Sequence, residues 1–197
     1  YLKQPEFRMD SARAMYRGVV RYFAQKDGRT PVFLPEPPEY VALVHDSQGR
    51  LELSWQAGAV GAPYGDVPTG YVVYTSKDGR AWDNGREVNG LKTVLEVAVG
   101  EVIYAKIAAK NAGGVSFPTE IVGARRAGSG KAPVLVVNAF DRLDSGLLVP
   151  TTTRVGAVKR MNLRQMNAFD GVVAHGEAID AAGWPFETVS DEVFDAI

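Results

Sequence analysis

The sequence predicts a mainly β, multidomain chain: a β-sandwich flanked by an N-terminal helix and a partial α/β segment. Three observations carry this. From Val41 to Asn111 apolar residues recur with a period of two, as half-buried strands require. Turn signals separate the runs, at Ser47-Gln48-Gly49, Lys77-Asp78-Gly79, Asn84-Gly85 and Asn89-Gly90. On the N-terminal side the pattern is helical, and on the C-terminal side a non-alternating apolar run comes first and a helical pattern later. The changes fall at a segment with four prolines, Pro31 to Pro38, and at a Gly/Ser/Lys stretch, Ala127 to Ala132. The division that follows is 1–30, 31–126 and 127–197.

Composition sets the outer limits. With 197 residues, 46% of them hydrophobic, the chain can bury a core. A formal net charge of -1 gives no electrostatic case for nucleic acid or an acidic membrane surface. The absence of cysteine excludes disulfides, thiolate zinc sites and cysteine nucleophiles. No run approaches the roughly 20 apolar residues of a membrane-spanning helix. No signal peptide is present. The chain opens at Tyr1-Leu2-Lys3 and stops at Asp195-Ala196-Ile197 in mid-pattern, which reads as a piece of a longer protein.

Each element has its own signal. From Ser11 to Gln25 the residues Met15, Val19 and Phe23 share one helical face, beside Ala12 and Tyr16. Asp10 or Ser11 can cap the start, because a short oxygen side chain accepts from free backbone N–H groups, and Asp27-Gly28 supplies the stop. The strands expected are Tyr40 to His45, Arg50 to Trp55, Gly70 to Ser76, Thr93 to Val99 and Val102 to Asn111. In the last of these, Ile103, Ala105, Ile107 and Ala109 form an apolar face opposite Tyr104, Lys106, Ala108 and Lys110. Trp55, in an alternating strand, belongs to the sandwich core. The run Val134-Leu135-Val136-Val137 lacks alternation and suits a parallel strand covered on both faces. An irregular stretch follows from Asp141 to Arg164. A helix is then expected over Asn167 to Ala182, with Phe169, Val172, Val173, Gly176 and Ile179 on one face, ended by Gly183 and Pro185. Strand, long loop and helix begin an α/β unit, and the chain stops before its sheet is complete.

Three resemblances attach to these segments. Trp55, Gly70-Tyr71-Val72-Val73-Tyr74 and Lys106 to Gly114, continued by Ser116 to Pro118, resemble fibronectin type III domains. The departure is at the corner tyrosine, whose slot holds Ile103, with Tyr104 one residue out of register. Leu2, Pro5-Glu6-Phe7-Arg8, Ala12, Ala14, Tyr16, Gly18 and Tyr22-Phe23 resemble the last helix of zinc-dependent N-acetylmuramoyl-L-alanine amidases. In that family the helix packs on the catalytic sheet, and the zinc ligands and catalytic glutamate would lie upstream. Val134 to Arg142, Met166 to Asp170, His175-Gly176 and Ala178 to Phe186 are similar to the C-terminal domain of bacterial proteins labelled xanthan lyase or golvesin-like. The same three parts occur in this order in such proteins.

Candidate site residues are few. Asn138, Asp141 and Arg142 lie at the carboxyl end of the expected parallel strand, where open α/β sheets place ligands. Against this stands a local turn with an ion pair. Arg154, Lys159, Arg160 and Arg164 form a basic stretch that could hold an anionic glycan, or could be solvated loop charge. Tyr71, Tyr74 and Trp82 could stack on sugars, but the strand pattern puts Tyr71 and Tyr74 on opposite faces. His45 and His175 fall in different segments without zinc-ligand spacing and read as a strand-end residue and a helix-flank residue. Gly128-Ser129-Gly130-Lys131 precedes a strand instead of following one, so it reads as a linker and not a phosphate loop.

The resemblances imply the accessory C-terminal region of an exported bacterial cell-wall hydrolase, a spacer and surface or glycan-binding module. Its partner would be peptidoglycan or another cell-surface glycan. The location would be secreted, periplasmic or cell-surface. No catalytic residue, metal ligand or cofactor is expected in this chain; zinc is expected in the parent enzyme. The alternative is an independent extracellular adhesion or carbohydrate-binding protein without enzymatic activity.

Overall fold

A computed structural model of the chain describes residues 5–128, 130–139, 149–154, 156–160 and 171–195. Helix α1 (Pro5–Lys26) opens the chain. Eight strands follow: β1 (Glu39–His45), β2 (Leu51–Gln56), β3 (Gly70–Ser76), β4 (Arg86–Val88), β5 (Lys92–Leu95), β6 (Val102–Asn111), β7 (Gly114–Val115) and β8 (Val122–Arg125). Then come β9 (Val134–Asn138), β10 (Val149–Thr153), β11 (Gly156–Arg160), α2 (Gly171–Ala181), β12 (Phe186–Ser190) and α3 (Asp191–Asp195).

The pairing gives two layers. One is β1-β2-β5 and the other is β4-β3-β6-β8, all antiparallel. This is the fibronectin type III-like sandwich. Its core holds Val41, Leu43, Leu51, Leu53, Trp55, Tyr71, Val73, Ile107 and Val122. Tyr71 and Val73 face inward from β3, and Ala105, Ile107 and Ala109 from β6, as the alternation requires. The bounds of β3 and β6 coincide with those expected. The strand expected over Thr93 to Val99 is shorter, Lys92–Leu95, although Val97 stays in the core. Strands β4, β7 and β8 were not expected. At two to four residues each, they are too short to display a period.

The expectation that the chain stops before the C-terminal strand finds a sheet is corrected. Strand β12 pairs with β9 in parallel along its whole length, Phe186↔Val134 to Ser190↔Asn138. Its other edge pairs with β8 at Phe186↔Arg125 and then with β1 at Thr188↔Leu43 and Val189↔Ala42. β12 therefore runs along the seam between the two sandwich sheets and joins them into one ten-stranded sheet. Thr188, fully buried, holds the crossing: its hydroxyl donates to the Gly123 carbonyl at 2.6 Å and accepts from the Gly123 N–H at 3.2 Å.

Helix α2 covers the outer face of this sheet. Val172 and Val173 form a second core with Tyr104, Ile121 and Phe186, flanked by Trp82, Val102, Val136 and Ile179. This explains the out-of-register tyrosine. Ile103 faces the sandwich core, while Tyr104 points the other way, under α2, its hydroxyl 3.4 Å from the Val173 carbonyl. Close approach is possible because two glycines lie against the ring pair. A Cβ on Gly123 would meet Tyr104 at 2.6 Å, and one on Gly176 would meet Phe186 at 2.6 Å. The expected helix start at Asn167, and Phe169, lie outside the described residues; the α2 face of Val172, Val173 and Gly176 is as expected.

Two further expectations change. The stretch read as irregular contains the hairpin β10–β11, with Thr153 opposite Gly156 across a tight turn. Its β-branched run Thr151-Thr152-Thr153 favours extended backbone. The Pro31 to Pro38 segment is not a free linker. Phe33 is buried; its N–H donates to the Asp66 carboxylate at 2.8 Å and its carbonyl accepts from the Asn111 amide at 2.8 Å. Four prolines keep it extended, and non-local bonds then tie it to the sandwich. Gly65 is the contact point, since a Cβ there would lie 2.0 Å from the Leu34 carbonyl oxygen. Gly65→Ala is expected to cost about 1–3 kcal/mol through this backbone clash. Denaturant melts together with loss of amide protection at Phe33 check it.

Helix α1 docks on that segment with an unexpected face. Arg17 stacks over the Phe33 ring at 3.9 Å and Arg13 over Tyr64 at 5.0 Å. Arg13 also pairs with Glu36 at 2.8 Å, and the Tyr16 hydroxyl accepts from the Leu34 N–H at 2.9 Å. The stripe Met15, Val19 and Phe23, with Tyr22, stays exposed, Met15 at 67% and Tyr22 at 64%. Cationic side chains capped by aromatic rings, and not the apolar stripe, hold the helix.

Candidate functional site

The carboxyl end of the parallel pair β9–β12 carries the first of the expected site residues, Asn138. Asn138 ends β9 and sits opposite Ser190, which ends β12. Paired residues of parallel strands project to one face, here the face covered by α2, since Phe186, four residues before Ser190, and Val136, two before Asn138, lie in the second core. The Asn138 Nδ2 and the Ser190 Oγ are both buried without a hydrogen-bond partner. Such orphaned polar atoms are costly to bury. Together they offer an amide donor and a hydroxyl, a set that suits an oxygen-bearing group. Among the described residues, neither atom is bonded to a histidine or carboxylate.

The other candidates are dispersed. Asp141, Arg142 and Arg164 lie outside the described residues. Arg154 is exposed in the turn of the β10–β11 hairpin. Lys159 and Arg160 stand on β11, opposite Pro150 and Val149, and their side chains lie outside the described residues. Among the described residues no strand pairing connects the hairpin to the ten-stranded sheet.

The aromatic candidates separate too. Tyr71 is a core residue, with its ring 5.3 Å from that of Trp55. Tyr74 and Trp82 lie on the outer face, both beside the Lys106 ammonium, which is 4.2 Å from the Trp82 ring. Trp184, unremarked in the sequence because it stands alone after a helix, borders an apolar hollow of about 370 Å³ with Val134, Ala178, Ile179 and Ala182. Lys131 lies 4.5 Å over its ring and donates to the Gly183 carbonyl at 2.9 Å. The Gly128 to Lys131 stretch is thus tied down through its lysine. A second hollow, about 540 Å³, is lined by Asp78, Asp83, Glu96, Glu101 and Lys77.

Acidic groups here serve the turns. The Asp78 carboxylate accepts from the Ala81 and Arg80 N–H groups and the Ser76 hydroxyl, which hold its pKa down at about 2. Asp83 accepts from the N–H groups of Thr75 and Gly85 and from the Thr75 hydroxyl. Burial, with Glu177 and Asp180 nearby, pushes the Tyr104 phenol up to about 12. Burial also raises the Glu120 carboxyl above its usual 4.5, helped by Glu192 and Asp191. A carboxyl raised in the fold binds its proton more tightly there, so its contribution is favourable below the unfolded value. That contribution is lost as pH rises through the folded value. Glu120→Gln is therefore expected to raise the melting temperature at neutral pH, and the gain is expected to vanish below about pH 4. Thermal melts across that range check it.

His45 was read as a strand-end residue, and it does end β1; His175 is exposed on α2. The sequence did not disclose what His45 holds. Its Nδ1 lies 2.9 Å from a Glu187 oxygen on β12, and its Nε2 accepts from the Ala127 N–H at 2.8 Å. Among the described residues no group of three His, Asp or Glu side chains converges as a metal site.

No family model and no curated protein matches the sequence. Solved structures do align with about half of it. The sixth fibronectin type III domain of human fibronectin type III domain containing protein 3 is 14% identical, over 51% of this chain and 92% of that one, with a TM-score of 0.41. A further fibronectin type III domain of the same human protein is 23% identical, over 49% and 91%, with a TM-score of 0.40. The twitchin kinase region of C. elegans is 23% identical, over 49% of this chain and 17% of that one, with a TM-score of 0.41. The chain spans less than a third of the twitchin and titin structures that it matches.

Proposed function

We propose that this chain is the accessory C-terminal region of an exported bacterial cell-wall hydrolase of the N-acetylmuramoyl-L-alanine amidase type, acting as a spacer and glycan-facing module. The sandwich fits a spacer or binding role, its two sheets closing on a packed apolar core. The observation that carries the finer reading is helix α1. Its Arg13, Tyr16 and Arg17 side is fastened to the sandwich, and its Met15, Val19 and Phe23 stripe is left outward. Such a helix is rigidly held and has one apolar face still to bury. The amidase resemblance of the same helix supplies a catalytic sheet as what buries it. Asn138, at the end of β9, and the Arg154 hairpin are the groups offered to a glycan.

The test has two parts. The chain is expected to co-sediment with purified peptidoglycan sacculi, and to release no fragments and retain no zinc after dialysis. The longer protein that carries it is expected to retain zinc and to cleave the bond between N-acetylmuramic acid and L-alanine. Failure of the chain to co-sediment above an unrelated sandwich control removes the glycan role. Absence of zinc and cleavage in the longer protein removes the amidase parentage and leaves the adhesion or carbohydrate-binding alternative.

A further inference from the structure

We infer that His45 is a proton-sensitive clasp, which releases the segment leading from the sandwich to β9 when its imidazole is protonated. The geometry assigns the tautomer. Ala127 can offer only its N–H, so the Nε2 that it reaches at 2.8 Å must be bare. The ring proton of the neutral imidazole is then on Nδ1 and is donated to Glu187 at 2.9 Å. The same Glu187 oxygen accepts from the His45 backbone N–H at 3.0 Å. One side chain thus joins three places: the end of β1, strand β12, and the start of the connection from β8 to β9.

Protonation changes only one of these bonds. The incoming proton goes to Nε2, which stops being an acceptor and meets the Ala127 N–H as a second donor. The Nδ1 bond to Glu187 remains and becomes an ion pair. An imidazolium and a docked Ala127 therefore exclude one another, while β12 stays tied to β1 in both states. The other charged groups of the surrounding elements are already engaged or distant. Asp46 and Arg50, in the turn after β1, bind each other at 2.7 Å. The Arg126 guanidinium donates to the Gly49 and Val97 carbonyls. Asp191 and Glu192 of α3 stand by the opposite end of β1, where burial, with Glu192 and Glu36 nearby, raises the Glu39 carboxyl. Glu187 is the charged side chain that bonds the ring. Below the titration, the connection from Ala127 onward is held at one fewer point, while β9 keeps its pairing with β12.

The test is NMR on the whole chain, following the His45 ring nitrogens and amide exchange from about pH 8 to about pH 5. At the upper end Nε2 is expected to be bare and Nδ1 protonated. As the ring titrates, protection of the Ala127 amide, corrected for intrinsic exchange, is expected to fall about ten-fold. The Ala109 amide, which donates to the Ser116 hydroxyl at 2.9 Å and meets no titrating group, is expected to keep its protection. A neutral ring protonated on Nε2 overturns the proposal. So does Ala127 protection that ignores the titration, or a loss shared equally by Ala109, which would mean global acid unfolding.

Discussion

Replacing Phe186 by Ala is expected to destabilise the whole chain by about 3–5 kcal/mol, as truncation of a fully buried aromatic does. Phe186 has no exposed surface and begins the strand that bridges the two sandwich sheets. Its ring lies against Tyr104, Gly123 and Gly176. The void would open at the point where α2, β8 and β12 meet. Tyr104, out of contact with its neighbour, would face an α2 held by exposed ion pairs such as Arg80 to Glu177 and Arg125 to Asp180. Exposed pairs contribute little, about 0–1 kcal/mol each, so they cannot retain the helix alone. Equilibrium denaturation with tryptophan emission, which reports Trp82 and Trp184 near this core, checks it. A loss under about 1 kcal/mol would mean that the second core does not contribute to folding.

Trp55→Ala is expected to cost a similar amount, about 3–5 kcal/mol, from the opposite side of the sheet. Trp55 is 3% exposed in the sandwich core, with its ring edge-on to Tyr71 at 5.3 Å. Part of its burial is unfavourable, because its Nε1–H is buried without a partner. Trp55→Phe, which keeps the ring contact and removes that donor, is expected to recover most of the loss. The pair of substitutions at Trp55 and Phe186 tests cooperativity. Strand β12 is bonded to both sandwich sheets, so each variant is expected to lower one common transition. Two separated transitions would mean that the segment from Val134 folds by itself.

Much of the sandwich was legible because its information is local. An alternating strand declares its own two faces, so Trp55 and Ile107 could be assigned to the core from their neighbours in sequence, and Tyr71 and Val73 to one shared face. The long strands β3 and β6 were bounded by turn residues that no strand interior tolerates. The candidate site was legible only in one residue, Asn138. Its partner Ser190 is 52 positions away by the register of two parallel strands, and no local pattern specifies that register.

The sequence by itself determined the longer strands and helices and which face of each seeks burial. The tertiary structure decided what meets those faces. Tyr104, an anomaly when judged within its own strand, is the residue on which α2 rests. The prolines from Pro31 to Pro38 determined an extended backbone, but its docking depended on Asp66 and Asn111, which no periodicity couples to Phe33. β12 has five residues, too few to show a period, and its place between β8 and β1 came from edges that only the assembled sandwich exposes. Periodicity reports the environment of one element, whereas hydrogen-bond partners and sheet edges are properties of several elements brought together, and that is where local reading ends.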